Sequence, residues 1–170
     1  MCRNRHLHLL LCSAVVAVGL CVSDASLALP EDAKQAIDID GPAGSSAQAD
    51  GWVIYKGSVA SPAKLTQGTL LITGAEIRIL TKDKELQLAI ATGAPAHFQQ
   101  QPSKDQALVT GNGKQISLNN NTNILTIDGD GELNQDGKLI QSPHIEHKMN
   151  TTESSTGPVH MTIPPKKDKP

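Results

Sequence analysis

A chain of 170 residues with a formal net charge of −2 is long enough for one ordinary domain and has no block of basic residues. That balance excludes a nucleic-acid binder working by phosphate neutralisation. One Trp, one Tyr and one Phe exclude an aromatic platform for bases or sugars, so any core is aliphatic.

In chain order, residues 1–28 read as a cleaved signal peptide. Arg3 and Arg5 give a basic start, Leu7 to Val22 is an almost uninterrupted apolar run with His8 near its beginning, and Ser26-Leu27-Ala28 supplies the small residues of a cleavage site. An uncleaved anchor is the alternative, but the run is short against a span of about 20 residues. A lipoprotein signal at Cys21 needs a small residue where Leu20 stands. Cys2, Cys12 and Cys21 all fall in the removed segment, so the exported domain, residues 29–163, has no thiol and no disulfide.

Gln35 to Asp40 alternates, with Ile37 and Ile39 inward and Asp38 and Asp40 outward. Gly41 to Asp50 is rich in Gly, Ser and Ala and reads as a loop. Trp52 to Val59 is a strand with Val53, Tyr55 and Val59 on one face, and Ser61 to Thr66, with Pro62, reads as a connection. Gln67 to Ile79 is a strand, a tight corner and a strand. Leu70 and Ile72 alternate, Gly74-Ala75 interrupts, and Ile77 and Ile79 resume. Glycine serves the corner by accepting positive φ. Lys82-Asp83-Lys84 is a charged turn, after which Leu86, Leu88 and Ile90 alternate.

Gly93-Ala94-Pro95 is a turn, and Ala96 and Phe98 begin another strand. Gln99 to Asp105 is a loop. Gly111-Asn112-Gly113 makes a bend, Ile116 and Leu118 alternate, and Asn119 to Asn123 is a polar turn. Leu125 and Ile127 alternate next. Gln135 to His147 then repeats the Gln67 to Ile79 unit with one residue inserted, so the chain is built twice on one plan. Val159 to Ile163 is a last strand, and residues 164–170 form a charged, disordered tail. No window carries an amphipathic helix. Turns about every 8–12 residues indicate an all-β sandwich, barrel or solenoid.

The outermost strands are weakly protected. The first has Asp38 and Asp40 but no Pro, and Val159-His160-Met161-Thr162-Ile163 carries no full charge. Such edges are either covered by the tail or extended by other chains.

Candidate chemistry is sparse. His144 and His147 flank Glu146, but residues three apart on a strand face opposite sides, so they read as two exposed or rim histidines rather than metal ligands. His97 reads as an outward strand residue. Asp128-Gly129-Asp130-Gly131-Glu132 resembles the start of a calcium loop, but Leu133 and Leu139 stand where Gly and Glu are needed. Gly111-Asn112-Gly113 has no third glycine or following helix to cradle phosphate, and no Ser has a nucleophile-elbow setting. The sequence therefore predicts no enzyme, metal or cofactor. The inward aliphatic residues are either plain core or the lining of a lipid-holding gap.

An ordered set of segments resembles the OstA-like family of periplasmic bridge proteins of lipopolysaccharide export, the LptA/LptH family. Gln35-Ala36-Ile37-Asp38-Ile39-Asp40 is similar to the family's opening strand. Tyr55-Lys56-Gly57-Ser58-Val59 is similar to its aromatic-x-G-x-V strand, and Gln67-Gly68-Thr69-Leu70-Leu71-Ile72 to its Q-G unit. Gly93-Ala94-Pro95-Ala96-His97-Phe98 is similar to its G-x-P-A-x-F turn. Ile127 to Asn134 and Ile140 to Ile145 resemble its second repeat, and Val159 to Ile163 falls where its last strand lies. The resemblance spans about residues 33–165. Two departures are Gly74-Ala75 in place of Ala-Asp at the corner and a Gly/Ser-rich Gly41 to Asp50.

The resemblance implies a twisted, open, V-shaped β-jelly roll of two stacked antiparallel sheets with exposed edge strands. It implies that lipopolysaccharide acyl chains ride inside, and that copies join head to tail, first strand to last. It also implies docking to the inner-membrane-anchored bridge component LptC and to the outer-membrane translocon component LptD. Alternation and motif position together nominate Ile37, Ile39, Tyr55, Leu70, Ile72, Leu86, Leu88, Phe98, Ile116, Leu118, Leu125 and Ile127 as lipid-facing. The nominated partner edges are Ile37, Asp38 and Ile39 at one end, and Val159, His160, Met161, Thr162 and Ile163 at the other. The rival readings are a structural β-solenoid adhesin or assembly module with a dry core, and a secreted hydrolase, for which a catalytic cluster is missing.

Overall fold

The computed structural model describes residues 35–149, 151 and 154–163; the expected signal peptide, residues 1–28, and the expected tail, residues 164–170, lie outside the described residues. Among the described residues twelve strands follow one another: β1 (Asp38–Asp40), β2 (Gly44–Ala47), β3 (Trp52–Lys56), β4 (Ala63–Gln67), β5 (Leu70–Gly74), β6 (Glu76–Lys82), β7 (Glu85–Gln100), β8 (Val109–Asn119), β9 (Ile124–Gln135), β10 (Lys138–Lys148), β11 (Ser154–Thr156) and β12 (His160–Thr162). Every pairing is antiparallel. The all-β expectation holds.

The strands form one sheet folded on itself. The long strands β7 to β10 each serve two layers. Layer I runs β2-β3-β6, then the first half of β7, the second half of β8, the first half of β9 and the second half of β10, and ends on β11. Layer II runs β1-β4-β5, then the complementary halves of β7 to β10, and ends on β12. The ladder is interrupted between Thr92 and Ala96, between Asn112 and Gln115, and between Ser142 and His144. These breaks lie side by side, because Ala96 pairs with Gly113 and Ser142 with Gly131. Bulges of this kind bend a strand and increase its twist. Here they make a single bend line across the stack. Among the described residues the sheet does not close, since β1 and β2 at one end pair with no strand at the other.

Local chemistry sets the turns. Asp83 and Lys84 between β6 and β7, and Asp136 and Gly137 between β9 and β10, take successive positive φ, the backbone that matches strand twist in two-residue hairpins. Gly68 alone does so between β4 and β5. Each of the two Gln-led units is thus a layer II strand behind a tight turn. The first leaves layer II at the Gly74-Ala75 corner, and the second at the bend around Pro143. Gly74 is needed there for space: a Cβ would lie 2.7 Å from the Thr92 carbonyl oxygen, and its φ is not positive.

Four sequence expectations are corrected. Gly41 to Asp50 is not a loop throughout, because Gly44–Ala47 pairs with β3 as an edge strand of small residues. Ser61 to Thr66 is not a connection, because Pro62 precedes a strand whose Ala63 and Leu65 are fully buried. Val59 does not share the face of Val53 and Tyr55; β3 ends at Lys56 and Val59 is 94% exposed. Gly93-Ala94-Pro95 does not separate two strands but lies within the continuous β7.

Candidate functional site: the apolar seam and its two open ends

Between the layers lies an apolar seam. In layer II one cross-strand row runs the full width of the sheet: Ile39, Leu65, Ile72, Phe98, Gly111, Leu133, Ile140 and Met161. Its middle is sealed, with Leu65, Phe98 and Leu133 at 0% exposure, whereas Ile39 and Ile140 are half-buried and Met161 is 50% exposed. In layer I the facing rows are Tyr55, Ile77, Ala91, Ile116, Ile127 and Ile145, and Val53, Ile79, Ala89, Leu118, Leu125 and His147. These rows end in small or polar residues, on Ser45 and Ala47 in β2 and on Thr156 and Ser154 in β11.

The layers touch at the centre. The Phe98 ring lies 6.1 Å from the His147 ring at a tilt of 52°, a favourable aromatic geometry. A Cβ on Gly111 would lie 2.6 Å from Ile127 Cδ1. The missing side chain in the layer II row is filled from across the seam, and only glycine leaves room for it.

Of the twelve residues nominated to face lipid, eleven line this seam or its first-strand end. Leu70, Ile72, Leu86, Phe98, Ile116, Leu118, Leu125 and Ile127 are buried, and Ile37, Ile39 and Tyr55 are half-buried and packed against the core. Leu88 is the correction. Leu80 pairs with Leu88 but Thr81 pairs with Leu86, so one extra residue is inserted in β7. The bulge reverses the alternation: Leu86, Ala89 and Ala91 face the seam, while Leu88 and Ile90 lie half-buried on the outer side. Sequence reasoning did not place Ala63, Leu65, Val109 or Leu133 in the seam, although Ala63-Lys64-Leu65 alternates cleanly. It also missed the second pair of sheet ends, β2 and β11.

His147 is not a rim histidine. It is fully buried, and its Nδ1 shares a 3.0 Å hydrogen bond with Ser154 Oγ. His144 points the other way, to solvent, as the spacing predicts. Its Nδ1 is 2.6 Å from Asp128 Oδ1 and its Nε2 is 3.7 Å from Glu146 Oε1. The hydrogen bond to Asp128 is the largest cause raising its pKa above 6.5. Lys114 is raised likewise by its 2.8 Å contact with Asp130. On the outer face of layer II, His97 Nδ1 lies 2.8 Å from Asn112 Oδ1, and Gln141 donates to Glu132 at 2.7 Å.

Two clefts flank the bend line. One of about 480 Å³ sits beside Pro143 where the chain passes from β11 to β12, and one of about 360 Å³ is lined by Pro95, Lys114 and Asp130. Neither includes a nominated lipid-facing residue. Among the described residues no three His, Cys, Asp or Glu side chains are placed to hold a metal ion, and no helix is long and apolar enough to cross a membrane.

This geometry matches known proteins. The family model described as LptA/(LptD N-terminal domain) LPS transport protein covers residues 38–153, more than half of the chain. The lipopolysaccharide export system protein LptH of Pseudomonas aeruginosa is 24% identical over 124 residues, covering 72% of this chain and 69% of that protein. The crystal structure of LptH, the LptA-homologous periplasmic component of the lipopolysaccharide transport device of Pseudomonas aeruginosa, superposes with a TM-score of 0.71 at 21% identity. It covers 80% of this chain and 100% of that one, so the open jelly roll is a shared fold. The resemblance carried by the Gln-led units and the G-x-P-A-x-F segment is borne out: this chain belongs to the LptA/LptD N-terminal-domain family of lipopolysaccharide transport proteins, a periplasmic and non-catalytic family.

Proposed function

We propose that this protein carries the acyl chains of lipopolysaccharide along the seam between its layers. On this reading further copies continue the seam head to tail across the periplasm, as one domain spanning residues 29–163. One end meets the inner-membrane-anchored component LptC and the other the outer-membrane translocon component LptD. The observation that carries the reading is that, among the described residues, both ends of layer II are unpaired and present apolar side chains on the seam side.

The physical need is plain. Each acyl CH₂ brought from membrane into water costs about 0.8 kcal/mol. A lipid with tens of methylenes needs continuous apolar cover rather than one tight site. The residues proposed to supply it are the eleven that line the seam, with Ile37, Ile39 and Tyr55 nearest the first-strand end. The centre is sealed by packed side chains, so loading requires the layers to part around Phe98.

Photo-crosslinkers at Ile39, Phe98 and Asp38 test this. Ile39 and Phe98 are expected to capture lipopolysaccharide, and Asp38, on the outer side, is not. Equal capture at all three removes the seam as the path. Mass spectrometry of protein purified without detergent separates this reading from a dry-core assembly module, which carries no lipid.

A further inference from the structure

We infer that the outer face of layer I, at its β3-β6-β7 end, is a membrane-contact surface: Trp52, Ile54, Leu80, Leu88 and Ile90 surround Arg78 and lie against the headgroups of an anionic phospholipid leaflet. The inference goes beyond the transport reading just given and does not depend on cargo.

The strands show the patch. A sheet with one wet face alternates apolar-in and polar-out. Layer II does so: one outer row runs from Asp40 and Lys64 through His97 and Asn112 to Gln141 and His160. Layer I does not at its β3-β6-β7 end. There the face turned away from the seam carries two cross-strand rows, Trp52, Leu80 and Leu88 in one, and Ile54, Arg78 and Ile90 in the other. All six residues are half-buried. The five apolar ones belong neither to the seam core nor to the partly buried residues packed on it. The rows stop at Asn119 and Ser117 in β8, and Ser46 in β2 ends the second. A contiguous apolar patch with a polar rim marks an interaction surface.

Arg78 indicates what covers it. Its guanidinium carbon lies 5.1 Å from the centre of the Trp52 ring, and its Nε is buried without a hydrogen-bond partner. Among the described residues no carboxylate lies within ion-pair distance of it. Its lateral neighbours are the aliphatic Ile54 and Ile90. Rim charges cancel: Lys56 stands opposite Glu76, and the hairpin Lys82-Asp83-Lys84-Glu85 sums to zero. Asp50 accepts from the Trp52 backbone N–H at 3.4 Å. The centre of the patch is thus a cation with unused donors in an apolar frame. A phosphate beside acyl chains complements it, since guanidinium recognises phosphate and Trp favours the level of the headgroups.

Other occupants fit less well. A second copy docked by the same face brings two Arg78 guanidinium groups together. A folded partner is gripped through anchors seated in pockets, whereas the clefts beside Pro143, Pro95 and Pro102 include no patch residue. A flat face suits a fluid surface. β3 carries Trp52 and Ile54 on one side and Tyr55 on the other, so this contact holds the first-strand end of the seam one sheet's thickness from lipid.

The test uses Trp52, the only tryptophan. The exported full chain is mixed with vesicles of equal parts phosphatidylcholine and phosphatidylglycerol, with or without brominated acyl chains. Emission is expected to shift to the blue and to be quenched by bromine. Arg78→Gln should lower the partition coefficient about fivefold, the factor one basic residue contributes near an anionic surface. Lys64→Gln, on the outer face of layer II, should leave it unchanged. Absence of quenching overturns the inference, as does sedimentation with vesicles without quenching, which places another face on the bilayer. An equal loss with Lys64→Gln reduces binding to general charge and overturns it too. A blue shift without vesicles that grows with protein concentration makes a second copy the occupant and overturns it. Quenching only in vesicles that contain lipopolysaccharide assigns Trp52 to cargo, which overturns the inference and leaves the transport reading standing.

Discussion

Replacing Phe98 with alanine tests whether the seam is packed shut at its centre. Phe98 is 0% exposed, pairs with Ile72 and Gly111 in the layer II row, and meets His147 across the seam. A buried aromatic removes about 150–250 Å² from water, worth roughly 4–6 kcal/mol at about 25 cal/mol per Å² as an upper bound. Alanine keeps a small part of that. It also leaves a cavity beside Gly111, which has no side chain to move into the space. The expected loss is about 3–5 kcal/mol, and the melting temperature of a domain this size falls by roughly 10–20 °C. Urea unfolding of the exported protein can be followed by fluorescence of Trp52, the only tryptophan, which lies outside the seam beneath Arg78 at 5.1 Å. A loss below about 1 kcal/mol would mean that the layers already stand apart at Phe98. The sealed centre would then be refuted. Phe98→Leu should recover at least half of the loss by refilling the volume.

Three further outcomes are expected. Leu86→Ala should cost about 2–4 kcal/mol in urea unfolding and Leu88→Ala less than about 1.5; equal losses would remove the bulge that sends them to opposite faces. Gly74→Ala should lower the urea midpoint by about 1–3 kcal/mol in stability, because its methyl group meets the Thr92 carbonyl rather than a flexible side chain; an unchanged midpoint would show that the corner relaxes. His144 should titrate above 6.5 by NMR, and Asp128→Asn should return it toward that value. Because its folded pKa is raised, its contribution is fully present below 6.5 and lost as pH rises through the raised value. Half-exposed, it is worth only about a few tenths of a kcal/mol, so His144→Gln should flatten a shallow decline in stability between about pH 6 and 8.

Much of the strand plan was legible because alternation reports burial wherever one face meets the core. Leu70 and Ile72, Ile77 and Ile79, Ile116 and Leu118, and Leu125 and Ile127 all face inward as their spacing predicts. The failures have separate physical causes. The β2 strand is made of small residues exposed along its whole length, so Gly44–Ala47 carries no hydrophobic signal, and it pairs by its backbone with β3. Pro62 stands just outside β4, where its missing N–H costs nothing, and so it hid a strand instead of ending one. Leu88 was misplaced because a bulge shifts phase by one residue without changing composition. The Phe98–His147 contact joins two strands that sequence spacing does not bring together; only the folding of the sheet on itself does.

The aligned interruptions in β7, β8, β9 and β10 have a mechanical consequence. Because each long strand serves both layers, the layers cannot slide past one another; they are leaves of one folded card. Along the crease the ladder is already broken, so changing the angle between the leaves need not break the hydrogen bonds that hold each leaf flat. What resists is the soft contact in the middle, chiefly ring against ring and methyl against glycine. On the proposed function, a hinge of this kind would let the opening adapt to loads of different girth while the walls keep their shape.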